Sequence, residues 1–128
     1  MGEHDLVRRG LGERGFELDF WRIAMRPGKP LIWGRLGQTP LLGLPGNPVA
    51  AVVTFLHLAR PLVLRLAGAA PEALPRFPAR AAFSYRKKAG RREYVRVRLG
   101  PGSPLPEAAK FGREGAGLLS SLTESDAF

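Results

Sequence analysis

Apolar and polar positions along the 128-residue chain change their spacing several times, and each change marks an expected element. Leu6, Val7 and Leu11 stand among charged residues at helical spacing, which predicts a short helix over Asp5–Glu13 that Gly12 and Gly15 close. A strand is expected over Phe16–Met25. In Arg26-Pro27-Gly28-Lys29-Pro30 the prolines remove two donors and Gly28 permits positive φ, so a turn follows. Two short strands come next, Leu31–Leu36 and Leu41–Leu44, joined by a Gly-Gln-Thr-Pro turn.

Leu44-Pro45-Gly46-Asn47-Pro48 is a helix start, with Asn47 as N-cap and Pro48 at the first helical position. The helix is expected to run from Pro48 to about Ala67, with Pro61 kinking or restarting it and Gly68 ending it. Its apolar positions wrap most of the circumference, which predicts packing on more than one side.

Ala69 to Pro78 reads as a Pro-spaced extended connection, after which the period becomes two. Val95, Val97 and Leu99 share one face of a strand over Arg91–Leu99, with Arg92, Tyr94, Arg96 and Arg98 on the other. A strand over Ala79–Arg86 is expected to pair with it across Lys87-Lys88-Ala89-Gly90. A third strand near Pro106–Phe111 and a last segment over Leu118–Leu122 complete the second part. The expected class is therefore α/β followed by all-β, divided into residues 1–70 and 71–128. The second unit holds three or four strands and no helix, a marginal core by itself.

Composition narrows the chemistry. With no Cys, a disulfide scaffold, a thiol nucleophile and a thiolate metal site are excluded, and two His are too few for a His-rich zinc centre. Any metal would be a hard cation on oxygen ligands. Residues 1–15 are charged throughout, so no secretory signal is expected there. The most apolar stretch, Leu41–Leu66, carries Pro45, Pro48, His57, Arg60, Pro61 and Arg65, a poor membrane span. A cytoplasmic protein fits these features. The net charge is +9 and 16 of the 20 cations are Arg, which favours an anionic partner; eight cations face one Glu between Arg80 and Arg98.

Phe20-Trp21-Arg22-Ile23-Ala24-Met25-Arg26-Pro27-Gly28-Lys29-Pro30, followed by Gly43-Leu44-Pro45-Gly46-Asn47-Pro48-Val49, resembles the paired signatures of the molybdopterin molybdenumtransferases, the MoeA and gephyrin E-domain family. The resemblance implies a molybdopterin-binding-like α/β domain followed by a small β-barrel domain. It implies insertion of molybdate into adenylylated molybdopterin with release of the nucleotide, a divalent cation such as magnesium, and an elongated homodimer whose site lies between subunits. Tungstate has the same charge and shape as molybdate.

Residue by residue, the resemblance implies catalytic roles for Asp5, Arg22 and Arg26, with Asp5 also a metal ligand, because Gly2-Glu3-His4-Asp5 is similar to the end of the family's Gly-Gly-x-Ser-x-Gly-x-x-Asp loop. Asp5 can equally begin the first helix, where a carboxylate suits the dipole, and Arg22 can equally be a solvated strand-end cation. Arg22 and Arg26 stand where the family usually carries Lys. Pro45, Gly46, Asn47 and Pro48 are implied in cofactor binding, and a helix N-terminus with Gly46 beside it suits an anion on its own chemistry. Arg92, in a segment similar to the family's basic hairpin, and Ser120 and Ser121, after Gly115 and with Ala116 in place of a common Ser, are implied at the molybdate pocket. No base stands near either serine in sequence, so nucleophilic catalysis is not expected. His57, amid aliphatics, reads as structural.

The chain departs from the family's pattern by starting inside the Gly-rich loop and stopping at Thr123–Phe128, so a fragment or truncated reading frame with little or no activity of its own is expected. One competing reading makes the Arg80–Arg98 segment, with Phe83, Tyr85 and Tyr94 interleaved, a single-stranded nucleic-acid module. That reading leaves both Pro-Gly motifs unexplained. A scaffold role toward partner proteins is a third, without a direct mark in the residues.

Overall fold

The computed structural model describes residues 6–70, 72–112 and 119–128. Helix α1 (Leu6–Gly12) leads into β1 (Phe16–Arg22), β2 (Met25–Arg26), β3 (Pro30–Leu36) and β4 (Thr39–Gly43). Strands β1, β3 and β4 form one antiparallel sheet in the order β1-β3-β4, with Phe16 opposite Leu36 and Trp33 opposite Leu42. Gly34 sets the closeness of β1 to β3. A Cβ there would lie 2.1 Å from the Glu17 carbonyl oxygen and 2.6 Å from the Phe16 ring, so no other residue fits.

The expected strand over Phe16–Met25 breaks after Arg22, and Met25–Arg26 joins a different sheet. The turn between β3 and β4 is shorter than expected, since Thr39 and Pro40 are already paired with Leu36 and Arg35.

Asn47 caps α2 (Pro48–Thr54), its Oδ1 accepting the Ala50 N–H at 3.4 Å, with Pro48 at the first position. Phe55–Ala59 widens into a π turn, and α3 (Arg60–Leu66) resumes the α-helix. The wide turn falls just before Pro61, whose ring would meet the His57 carbonyl in a regular helix. Val49, Ala50, Val53 and Thr54 are buried with Met25, Leu31 and Ile32, and this cluster is the main core. Burying Leu31 and Val53 stabilises the fold by about 1.5–3 kcal/mol each relative to exposure. On the other side of the helix Val52, Phe55, Val63 and Leu66 are exposed, so the expectation of packing on several sides holds for one side only among the described residues. Pro48–Leu66 is one helix long and apolar enough to cross a membrane by length and composition. It also carries Arg60, Pro61 and Arg65, and its buried face is spent on the core.

The β-rich part holds β5 (Arg80–Ala81), β6 (Arg92–Glu93), β7 (Val97–Gly100) and β8 (Glu107–Lys110), then α4 (Ser120–Thr123). Its sheet runs β5-β8-β7, with β5 parallel and β7 antiparallel to β8, and Val97 bridges to Ala127. Val97, Ala108, Phe111 and Ser121 are its buried residues. No closed barrel forms among the described residues, in keeping with an incomplete one.

Three expectations are corrected here, the first being the strand over Arg91–Leu99, which divides into β6 and β7 in different sheets. The strand over Ala79–Arg86 shrinks to Arg80–Ala81 and pairs with β8, not with Arg91–Leu99 across Lys87–Gly90; Arg92–Glu93 instead pairs in parallel with β2. Alternation reports which face a residue takes and leaves the partner strand open. The unit expected to lack helix also contains α4, while Leu118 lies outside the described residues.

Candidate functional site

The β2–β6 pair links the two parts of the chain through their backbones. Met25 stands opposite Arg92 and Arg26 opposite Glu93, with the Arg92 N–H on the Ala24 carbonyl at 2.9 Å and the Tyr94 N–H on the Arg26 carbonyl at 2.8 Å. Beside this pair the Arg26–Lys29 turn, which contains a cis Arg26–Pro27 peptide, is pressed onto α2. Gly28 makes that contact possible. Its φ is 112°, and a Cβ there would lie 2.5 Å from Thr54 Cγ2 and 2.7 Å from Met25 Cε. Thr54 is itself fully buried, its hydroxyl donating to the Ala50 carbonyl at 2.7 Å.

These contacts leave a cavity of about 1000 Å³ bounded by three main segments, with Val7 of α1 also in its lining. Ile23–Ile32 forms one wall, Gly43–Asn47 with Ala50 a second, and Lys88–Arg91 a third. Arg26, Lys29, Lys88 and Arg91 line it, and no acidic side chain does so among the described residues. Four cations around a largely apolar recess suit an anionic ligand with a flat or apolar body.

Of the residues singled out in the sequence, Arg26, Pro45, Gly46 and Asn47 meet at this cavity. Arg22 ends β1 with its guanidinium 3.7 Å from the Trp21 ring centroid, away from the cavity wall. Pro48 takes the first helical position after the Asn47 cap without lining the cavity. Arg92 is exposed and contributes backbone pairing. Ser120 opens α4 and is exposed, whereas Ser121 is fully buried and its hydroxyl meets the Arg96 guanidinium. Neither serine lines the cavity. Asp5 lies outside the described residues.

Sequence reasoning passed over Lys29, Lys88 and Arg91. The signal was present: Lys29 sits inside the first Pro-Gly motif, and Arg91 is one residue from Arg92, on the opposite face of an extended chain.

Glu93 stands beneath the cavity's arginines with a side chain only 2% exposed. Its Oε1 accepts from Arg91 Nε at 2.6 Å and from the Lys88 backbone N–H at 3.3 Å. Its Oε2 accepts from the Tyr85 hydroxyl, and Arg26 Nη1 lies 3.7 Å from the same oxygen. The Arg91 bond, then the Tyr85 bond, hold the Glu93 carboxyl at about 2 against the opposing effect of burial. Tyr85 is pushed up in turn, first by that hydrogen bond and then by burial. His57 in the π turn stacks on Tyr94 with ring centroids 4.3 Å apart, and burial, then Arg76 and Arg92, lower its pKa. Among the described residues no cluster of three His, Asp or Glu could hold a metal ion, and the cavity wall offers no carboxylate. The described residues therefore do not make a magnesium site.

Comparison with known proteins bears on what this cavity belongs to. Residues 1–65 match the family model described as a probable molybdopterin binding domain, and residues 78–128 match the MoeA C-terminal region, domain IV. The molybdopterin molybdenumtransferase of Haemophilus influenzae is 35% identical over 131 residues, covering 100% of this chain and 32% of its own length. The molybdenum cofactor synthesis protein cinnamon of Drosophila melanogaster is 38% identical over 68 residues, 53% of this chain and 11% of its own. Among solved structures, a molybdopterin biosynthesis MoeA protein from Pyrococcus horikoshii superposes with a TM-score of 0.70 at 30% identity, covering 95% of this chain and 29% of that one. A molybdenum cofactor biosynthesis protein from Pyrococcus furiosus superposes with a TM-score of 0.69 at 25% identity, covering 96% and 46%. The chain thus spans about a third of the length of the first of these curated relatives. Nothing in these likenesses supports the nucleic-acid alternative. With both of its regions matched in order, the chain belongs to the molybdopterin molybdenumtransferase family of molybdenum cofactor biosynthesis.

Proposed function

We propose that the cavity between the Arg26–Lys29 turn, the Pro45–Asn47 loop and the Lys88–Arg91 loop is this chain's share of a molybdopterin-binding site. The observation that carries the reading is the convergence of four cations from two segments far apart in sequence, Arg26 and Lys29 with Lys88 and Arg91, on one recess whose wall has no acidic side chain among the described residues. In the reaction of the family, molybdate is inserted into adenylylated molybdopterin and the nucleotide leaves. Arg26, Lys29, Lys88 and Arg91 would hold the phosphate and molybdate oxygens, and the apolar wall around Leu31, Ile32 and Leu44 would take the flat ring system. Fixed cations in a partly dry recess bring two anions together that repel each other in water.

On this reading residues 1–70 are the C-terminal part of an α/β molybdopterin-binding-like domain and residues 71–128 the small β domain. Arg22, Arg92, Ser120 and Ser121, which do not line the cavity, act on substrate only from a partner subunit's side of a homodimer. Magnesium belongs with Asp5 and with ligands beyond the described residues. The protein acts in the cytoplasm, on a small anionic substrate. By itself this chain binds substrate but does not turn it over.

Titration of the purified chain with molybdopterin tests the reading, alongside a single-stranded oligonucleotide at two salt concentrations. Saturable pterin binding that Arg26→Ala or Arg91→Ala weakens by about tenfold is the expected result, the scale of a lost charged hydrogen bond. Oligonucleotide binding that weakens steeply with salt, without pterin affinity, would overturn it.

A further inference from the structure

We infer that Glu93 is a positioning residue for the cavity, the carboxylate that orients Arg91 and Arg26 toward an anionic substrate. The inference rests on the proposed reading of the cavity. Glu93 is the single anion among the cations between Arg80 and Arg98, and it does not line the cavity itself. It is held there by register, because Glu93 stands opposite Arg26 in the β2–β6 pair and two residues from Arg91 on the same side of the strand. It engages Arg91 through Nε at 2.6 Å, which leaves the terminal amines of that fork outside the Glu93 contact. The Tyr85 hydroxyl and the Lys88 N–H occupy further sites on the two oxygens, so the carboxylate cannot rotate without losing a partner.

Charge alone argues against such a residue. An ionised carboxylate 2.6 Å from one cation and 3.7 Å from another lowers the positive potential that an anion would meet. What it supplies is order. A free Arg samples many rotamers, and a guanidinium already held by its Nε loses less of that freedom when substrate arrives. Glu93 also ties an arginine of the first part of the chain to one of the second, so both walls of the cavity keep their spacing.

The two effects have opposite signs in a binding measurement. Molybdopterin is titrated into the native chain, Glu93→Gln and Glu93→Asp, and exchange of the Arg91 Nε proton is read by NMR without ligand. Positioning predicts binding weakened about tenfold in both variants, since the amide loses the charge-assisted bond and the shorter acid loses the reach. It also predicts Arg91 exchange at least about tenfold faster in Glu93→Gln. Native binding with equal or tighter binding in Glu93→Gln, or unchanged Arg91 exchange, overturns the inference and leaves the reading of the cavity intact. No binding by the native chain overturns that reading, and this inference with it. Should Glu93→Gln not fold, Tyr85→Phe, at a position 36% exposed, removes one partner of the carboxylate, and about twofold to threefold weaker binding is then expected, with unchanged binding counting against positioning.

Discussion

Residues 16–66 and residues 80–127 reach their folds by different routes. In the first stretch β3 and β4 are joined by a two-residue turn, β1 lies on β3, and the helix after Asn47 covers the result. In the second, β5 pairs with β8 from Arg80 to Glu107, β6 reaches back to β2, and Val97 bridges to Ala127. Local antiparallel pairing follows from turn residues and alternation, which a sequence displays. Pairing between distant segments depends on which edges are left open once the local structure has formed. The cavity sits where the two kinds of pairing meet, at β2 and β6.

Several measurements would break or sharpen that contrast. The largest effect is expected at Gly34, where alanine would force β1 away from β3. Gly34→Ala should lose about 3 kcal/mol or more, read from the urea midpoint, and a loss below about 1 kcal/mol would show that the sheet yields easily. Leu31→Ala comes next at about 2–5 kcal/mol, since it empties a fully buried position in the cavity wall.

Acid should separate the two stretches. The Glu93 carboxyl sits at about 2 in the fold against an ordinary 4.5, so its contribution is complete above pH 4.5 and is lost as pH falls toward 2. Both Trp, at 21 and 33, lie in the first stretch and both Tyr, at 85 and 94, in the second. Tyrosine signals should therefore change at higher pH than tryptophan fluorescence. Coincident curves would mean that the two stretches unfold as one unit.

Smaller effects follow from single polar contacts. Asn47→Ala removes the helix cap and should cost about 1 kcal/mol in a urea melt. Arg80→Ala should change stability by less than about 1 kcal/mol, although its ion pair to Glu107 joins β5 to β8, because both side chains are largely in solvent. A larger loss there would mean that the non-local sheet leans on its ion pairs more than on Val97, Ala108 and Phe111.

The candidate site was legible in proportion to its locality. Arg26 and the Pro45–Asn47 loop could be singled out because Pro-Gly turns and an N-cap carry their conformation in their own residues. Arg91 was overlooked in favour of Arg92 because alternation sorts residues into two faces without saying which face turns to a cavity. Ser121 was singled out by motif, yet its hydroxyl is buried against Arg96, 25 positions away, a contact that no local pattern announces. Glu93 read only as the lone anion in a basic run.

Local steric chemistry, then, was readable from the chain itself: the Asn47-Pro48 helix start, the restart at Pro61 and the β3–β4 hairpin. Those follow from φ restrictions and side-chain period, which act over a few residues. The tertiary structure alone decided that β6 pairs with β2, that Arg26, Lys29, Lys88 and Arg91 share one recess, and that Glu93 lies beneath it. Such contacts join segments up to 67 positions apart, as Met25 and Arg92 are, and their selection depends on the competition among all open edges and buried polar groups of the folded chain.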